Sequence, residues 1–149
     1  MNVPKYLIIH CSDSEWGCAR EVRKWHISRG WNDVGYHFLI NNGYPEKGKK
    51  LLALMGSIEC GRSIDSEGAH CLGYNEISLG ICLIGDGTNT FCGEQYDSLK
   101  MLCQELCMKY GIPAENVLGH GETESGKSEG KTCPNFAVSD IRKYLKGRL

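Results

Sequence analysis

Residues 77–85 read Ile-Ser-Leu-Gly-Ile-Cys-Leu-Ile-Gly, a run that is apolar almost throughout and barely alternates. A strand with one face in water alternates apolar and polar residues, whereas a strand covered on both faces has no need to. The run therefore predicts a central strand with helices on either side, as in an α/β domain. Upstream, residues 66–75 carry Gly68, His70 and Gly73 and suit an ordered loop. Downstream, the turn-rich residues 86–93 lead into a long helix over 94–110. Its apolar stripe is Tyr96, Leu99, Leu102, Cys103, Leu106 and Cys107, and Gly111-Ile112-Pro113 ends it.

Outward from this centre the same signals recur. Residues 5–11 form a first strand, in which alternation sets Cys11 on the face opposite His10, so that the two are not expected to share a ligand. Ser12-Asp13-Ser14 offers helix-capping residues. A helix over about 19–29 carries Val22, Trp25 and His26 at helical spacing and stops at Gly30. Residues 34–41 read as a strand closed by an Asn42-Gly43 hairpin turn, and 57–60 as another, ended by Gly61-Arg62. Lys47, Lys49 and Lys50 mark a solvated loop between them. Residues 116–120 make the last strand, and 138–146 the last helix, capped by Ser139 and Asp140. The expectation is one α/β domain over residues 1–149, with a mixed central sheet of about five strands flanked by about three helices.

Composition narrows the function. A chain of 149 residues holds one good core. The net charge of −1 and the lack of a basic stripe argue against nucleic acid as a partner. No apolar run approaches the ~20 residues of a membrane span. The N-terminus runs straight into a strand, so no signal peptide is expected, and the chain is expected to be cytoplasmic as synthesised. Nine cysteines without an export signal imply reduced thiols. With no C-x-x-C pair, a zinc ribbon or thioredoxin-type site is disfavoured, and Cys103 and Cys107 read as core packing.

Three residues stand apart. His10 closes the apolar run 6–9, His120 closes the run 117–119, and Cys133 follows a polar loop just before Pro134. If the two strands are parallel neighbours, both imidazoles arrive at one sheet edge, where ligands of open α/β sheets gather. Two imidazoles and a thiolate suit zinc, and three protein ligands with an open position describe a catalytic zinc site. A lone histidine is more often a satisfied structural group, and that reading stays open for each. His26 and His37 are expected to be buried and hydrogen-bonded, while His70, in its glycine-rich loop, is a functional candidate.

The segments IIHCS (8–12), VRKWH (22–26), GWNDVGYHF (30–38), GAHCLGYN (68–75), SLGICLIG (78–85), Gly119-His120 and KTCP (131–134) together resemble the zinc-dependent N-acetylmuramoyl-L-alanine amidases of the phage-lysozyme and peptidoglycan-recognition-protein type. The resemblance implies that His10, His120 and Cys133 bind one Zn2+ per chain, and that Tyr36 and Lys131 assist catalysis. The reaction it implies is hydrolysis of the amide joining N-acetylmuramic acid to L-alanine. Metal and Lys131 would stabilise the oxyanion, and Tyr36 would orient the water or the carbonyl. In the same comparison Arg62 faces stem-peptide carboxylates, and His70 and Asn75 line a loop over the cleft. The implied partner is peptidoglycan, glycan and stem peptide together, with a monomer expected.

Two stretches depart from the family pattern. Residues 121–132 make a longer connection than shorter members have, expected to be a mobile loop, and residues 44–60 exceed a simple hairpin. A phage or prophage endolysin acting on the wall after lysis is the leading reading. A cytosolic amidase for recycled anhydro-muropeptides is the second, although Cys133 stands where such enzymes typically carry aspartate. A peptidoglycan-binding module without activity is the third, disfavoured by retention of all three ligands and Tyr36.

Overall fold

The computed structural model describes residues 3–87 and 89–149. The readings that touch Met1, Asn2 and Thr88 lie outside the described residues. Five strands form one sheet in the order β3-β2-β4-β1-β5. They are β1 (Tyr6–Cys11), β2 (Phe38–Asn42), β3 (Met55–Cys60), β4 (Ser78–Leu83) and β5 (Val117–Gly119). β1 runs parallel to β4 and β5, β2 runs parallel to β4, and β3 alone is antiparallel, at the edge against β2. The mixed α/β sheet expected from the order of elements is what forms, and β4, expected from its apolar run to be covered on both faces, has every residue buried.

Alternation divides the sheet into two unlike faces. Leu7 and Ile9 of β1 with Leu79, Ile81 and Leu83 of β4 face a large apolar core closed by α2 (Gly93–Tyr110) and α4 (Ser139–Leu145). Leu99, Leu102, Cys103, Leu106 and Cys107 supply the α2 side of that core, and Gly111 ends the helix in the left-handed conformation at φ 67°. On the opposite face α1 (Ala19–Ser28) packs Ala19 and Val22 against Val34, Leu39, Cys82 and Ile84. This second core is small and leaves room toward the ends of β1 and β4. His10, Ser78 and Gly80 occupy that space.

Several local expectations shift. Strand β2 begins at Phe38, and residues 35–37 before it are held by main-chain bonds on both sides. Gly61 N–H donates to the His37 carbonyl, Arg62 N–H to Tyr36, and Ala69 N–H to Gly35. His37 therefore precedes the strand. Asn42-Gly43 is no two-residue turn: the buried Asn42 amide donates to the carbonyls of Glu15 and Thr90, and an excursion over 43–54 intervenes before β3. Residues 121–132 are ordered structure. A 3-10 turn (His120–Glu122) leads into a short helix, α3 (Glu124–Ser128), whose first turn is capped by the Thr123 hydroxyl accepting from Gly126 N–H. That raises the helix count to four among the described residues. Helix α4 starts after Val138 and has no side-chain cap, so Ser139 and Asp140 sit inside its first turn.

His26 and His37 are buried and bonded, as their positions suggested. His26 Nδ1 accepts from Gly35 N–H at 2.9 Å, and His37 Nδ1 accepts from Gly80 N–H at 3.0 Å. An accepting nitrogen has to be unprotonated. Burial, followed by the charges of Arg29 and Arg62, lowers the His26 pKa from 6.5 to about 4. A folded-state pKa below the unfolded value contributes stability that is complete above about pH 6.5 and is lost as pH falls toward about 4. The thermal midpoint is expected to decline steadily across that window. A midpoint unchanged from pH 6.5 to 4 would contradict the assignment.

Candidate metal centre and cleft

The parallel β1–β5 register pairs Ile9 with Gly119, so His10 and His120 follow side by side at the carboxyl ends of the two strands. Their rings lie 4.7 Å apart between centroids. Cys133 reaches the same spot because the chain doubles back: Gly121 N–H donates to the Cys133 carbonyl at 2.8 Å, and Cys11 N–H donates to Cys133 Sγ at 3.2 Å. One ligand atom from each of His10, His120 and Cys133 lies within 4.8 Å of the others. Donors about 2.0–2.3 Å from a common tetrahedral ion stand roughly 3.3–3.8 Å apart, so small side-chain adjustments suffice for the trio to close on one. The donor set, two imidazoles and one sulfur, is of the borderline-soft kind that favours zinc over calcium or magnesium.

Electrostatics fit the same use. Burial lowers the His10 pKa well below 6.5, with further lowering from His70 and His120. Burial also lowers His120, helped by the positive charge of Lys131. Both imidazoles are thus neutral and free to donate a lone pair at pH 7. The hydrogen bond with Cys11, then burial, pushes the Cys133 thiol up. The Cys11 main-chain N–H works the other way, and a cation at the site would favour the thiolate further, which is how a coordinated sulfur loses its proton. Cys11 remains outside the ligand cluster, and its main-chain amide supports the cysteine sulfur.

The trio opens into a cavity of about 650 Å³, whose walls include Tyr36, His70, Asn75 and Lys131 as well as Arg29 and Trp31. Tyr36 stacks at 5.0 Å from the His10 ring and is backed by His26 at 5.5 Å. Burial and the thiols of Cys82, Cys133 and Cys11 push its phenol pKa well above 10, so the hydroxyl keeps its proton. Lys131 lines the cavity half exposed, its ammonium 4.0 Å from a Glu129 carboxylate oxygen and close enough for its charge to be felt at His120.

The other sequence candidates divide. His70 is buried, and its Nδ1 stands 2.9 Å from His10 Nε2, placing it behind the metal cluster more than on the rim. Asn75 Oδ1 accepts from His70 N–H at 2.8 Å and Cys71 N–H at 2.9 Å, which organises the loop. Arg62 does not line the cavity. Its guanidinium donates to the carbonyls of Val34 at 3.0 Å and Glu67 at 2.8 Å, clamping two loop segments. Arg29 stands at the cavity instead, and sequence offered no signal for it beyond its place at the end of a helix. Arg62→Ala is therefore expected to cost about 1–3 kcal/mol of stability, for two lost bonds to backbone carbonyls, and to leave KM for a peptidoglycan substrate unchanged. Denaturant titration and steady-state kinetics check both parts.

Comparison with known proteins agrees with this geometry. The model of the N-acetylmuramoyl-L-alanine amidase family Amidase_2 matches residues 1–136. The endolysin of Enterobacteria phage T3 is 35% identical over 147 residues, covering 93% of this chain and 83% of the relative. Among solved structures, the N-acetylmuramoyl-L-alanine amidase LysC from Clostridium intestinale superposes with a TM-score of 0.78 at 25% identity, over 97% of this chain and 86% of its own. A tyrosine-to-phenylalanine variant of Drosophila PGRP-LB in complex with tracheal cytotoxin superposes at 0.64 with 30% identity, over 92% and 86% of the two chains. The chain belongs to the N-acetylmuramoyl-L-alanine amidase family. It is a hydrolase of the amide bond between the N-acetylmuramoyl group and L-alanine in peptidoglycan.

Proposed function

We propose that the chain is a zinc amidase of endolysin type, with the ion held by His10, His120 and Cys133 and the reaction assisted by Tyr36 and Lys131. The observation that carries this reading is the convergence of three donor atoms of the right kind at the floor of an open cavity. A zinc ion held by these three side chains would supply Lewis acidity, enough to activate water near neutral pH and to polarise the substrate carbonyl.

This chain's residues do the rest. Tyr36, held protonated beside His10, donates a hydrogen bond to the carbonyl oxygen or orients the attacking water. The Lys131 ammonium offsets the negative charge that develops on that oxygen as the carbonyl carbon becomes tetrahedral. On collapse the C–N bond breaks, the leaving nitrogen takes up the proton given up by the attacking water and departs as the amino group of L-alanine, and the lactyl side is left as a carboxylate. Arg29 and Trp31 stand at the walls of the cavity, where an arginine suits the carboxylates of a stem peptide and an aromatic ring suits a sugar face. Support for wall substrate comes from the phage endolysins among the relatives, and support for recognition of peptidoglycan from the recognition proteins. No helix of the described residues is long and apolar enough to cross a membrane. Release to the wall after lysis is the route that the endolysin reading carries.

The test is digestion of purified peptidoglycan by zinc-loaded protein, scoring new L-alanine amino groups against new reducing sugar ends. New L-alanine termini are expected, absent in His10→Ala. Cys133→Ala is expected to lose zinc while keeping its far-ultraviolet spectrum, and Tyr36→Phe to keep zinc but turn over about 100-fold more slowly or worse, the usual range for a lost proton donor. Zinc-loaded protein that releases no L-alanine from any wall type would refute the wall-lytic reading. Soluble muropeptides as the sole substrate would favour the recycling reading instead.

A further inference from the structure

The ring of His70 lies in a slot made for it. A Cβ on Gly80 would fall 2.7 Å from its Cγ, and one on Gly68 2.5 Å from its Cδ2, so both positions require glycine for the ring to enter. Asn75 holds the His70 main-chain amide, and the ring sits edge-on between those of His10 and His37, at 5.0 and 5.8 Å. Such a placement is far more than a rim contact with substrate needs.

The hydrogen bonds around the ring have only one consistent direction. The Tyr74 carbonyl can only accept, and Ser78 Oγ lies 2.7 Å from it, so the single hydroxyl hydrogen of Ser78 points there. Ser78 Oγ then has only lone pairs to offer His70 Nε2 at 3.3 Å. His70 Nε2 therefore carries the ring hydrogen. With the one ring hydrogen of a neutral imidazole placed on Nε2, His70 Nδ1 is a bare acceptor. The group 2.9 Å from it is His10 Nε2, which must donate. The remaining nitrogen of His10 is left with a lone pair and no hydrogen.

We propose that His70 and Ser78 are positioning residues which lock His10 in the tautomer protonated at Nε2 and so make Nδ1 its metal-binding atom, with the Tyr74 carbonyl as the anchor of the relay. This rests on the zinc reading above. It accounts for why the loop 68–75 and strand β4 carry Gly68, His70, Asn75, Ser78 and Gly80 together: each either shapes the slot or sets a hydrogen's direction. A histidine ligand whose other nitrogen donates to a fixed acceptor is held in orientation and is a stronger base, and loss of such support typically weakens metal binding 10–100-fold.

The first experiment loads the full chain, with 15N-labelled histidine, with cadmium-113 and records long-range proton–nitrogen spectra. Cadmium coupling to His10 Nδ1, with the ring hydrogen on Nε2, is expected. Coupling to His10 Nε2 overturns the relay while leaving the metal site standing. Absence of coupling to either His10 or His120 removes the metal reading itself, and this inference with it. The second experiment measures zinc affinity by chelator competition. Ser78→Ala and His70→Leu are expected to bind zinc roughly 10–100-fold more weakly than the parent. His70→Gln, whose side-chain oxygen still accepts from His10 Nε2–H, is expected to regain part of the loss. A purely structural role would lower the melting temperature of both His70 variants without separating their zinc affinities. Zinc affinities of all three variants equal to the parent's would overturn the proposal.

Discussion

The parallel pairing of β1 with β5 is the contact on which the rest of the molecule depends. Its register sets Ile9 opposite Gly119, and the next residue of each strand is a histidine. Neither strand could hold that alignment alone, since β5 is three residues long and gains its place from the core beneath it. Val117 is fully buried there, and Arg142 of α4 donates to the Val117 carbonyl while pairing with Glu122 just past the strand. Glu122 in turn accepts from Gly119 N–H. The end of β5 is thus tied down within one residue of His120. Gly126 completes the arrangement, for any side chain there would collide with the His120 carbonyl.

The two faces of the sheet divide the labour. One carries an apolar core of leucine, isoleucine and cysteine under α2 and α4, and this face stabilises the fold without involving the site. The other buries histidines 10, 26, 37 and 70, polar groups that a core normally excludes. They are tolerated because each has a hydrogen-bond partner and because burial disfavours their charged forms. A polar network that is fully satisfied specifies one arrangement, which is what a site requiring sub-ångström placement needs. Stability supplied by the first face allows chemistry on the second.

What could be read without coordinates was whatever repeats locally or ends abruptly. The unbroken apolar run at 77–85 identified a strand covered on both sides, the 94–110 stripe identified α2, and the histidines at the ends of two apolar runs marked the sheet edge. These follow from the strand and helix periods, which act between near neighbours in the chain. The Amidase_2 resemblance came from many short motifs in order, and the family model spans them. The loop at 121–132 was misjudged because its polar composition hides a cap, Thr123, and a glycine required by contact with a residue six positions away.

The tertiary structure alone decided partners. Arg62 has the chemistry to grip a carboxylate, yet its guanidinium is spent on the carbonyls of Val34 and Glu67, while Arg29 reaches the cavity. His70, a glycine-loop histidine by sequence, turns inward onto His10 across sixty positions of chain. Cys11, set on the opposite face by alternation, still offers its amide to Cys133. The sequence by itself determined the element types, the apolar centre and the metal-ligand candidates, because patterning and residue chemistry are local properties. Which donor meets which acceptor depends on segments far apart in the chain, and only packing brings them together.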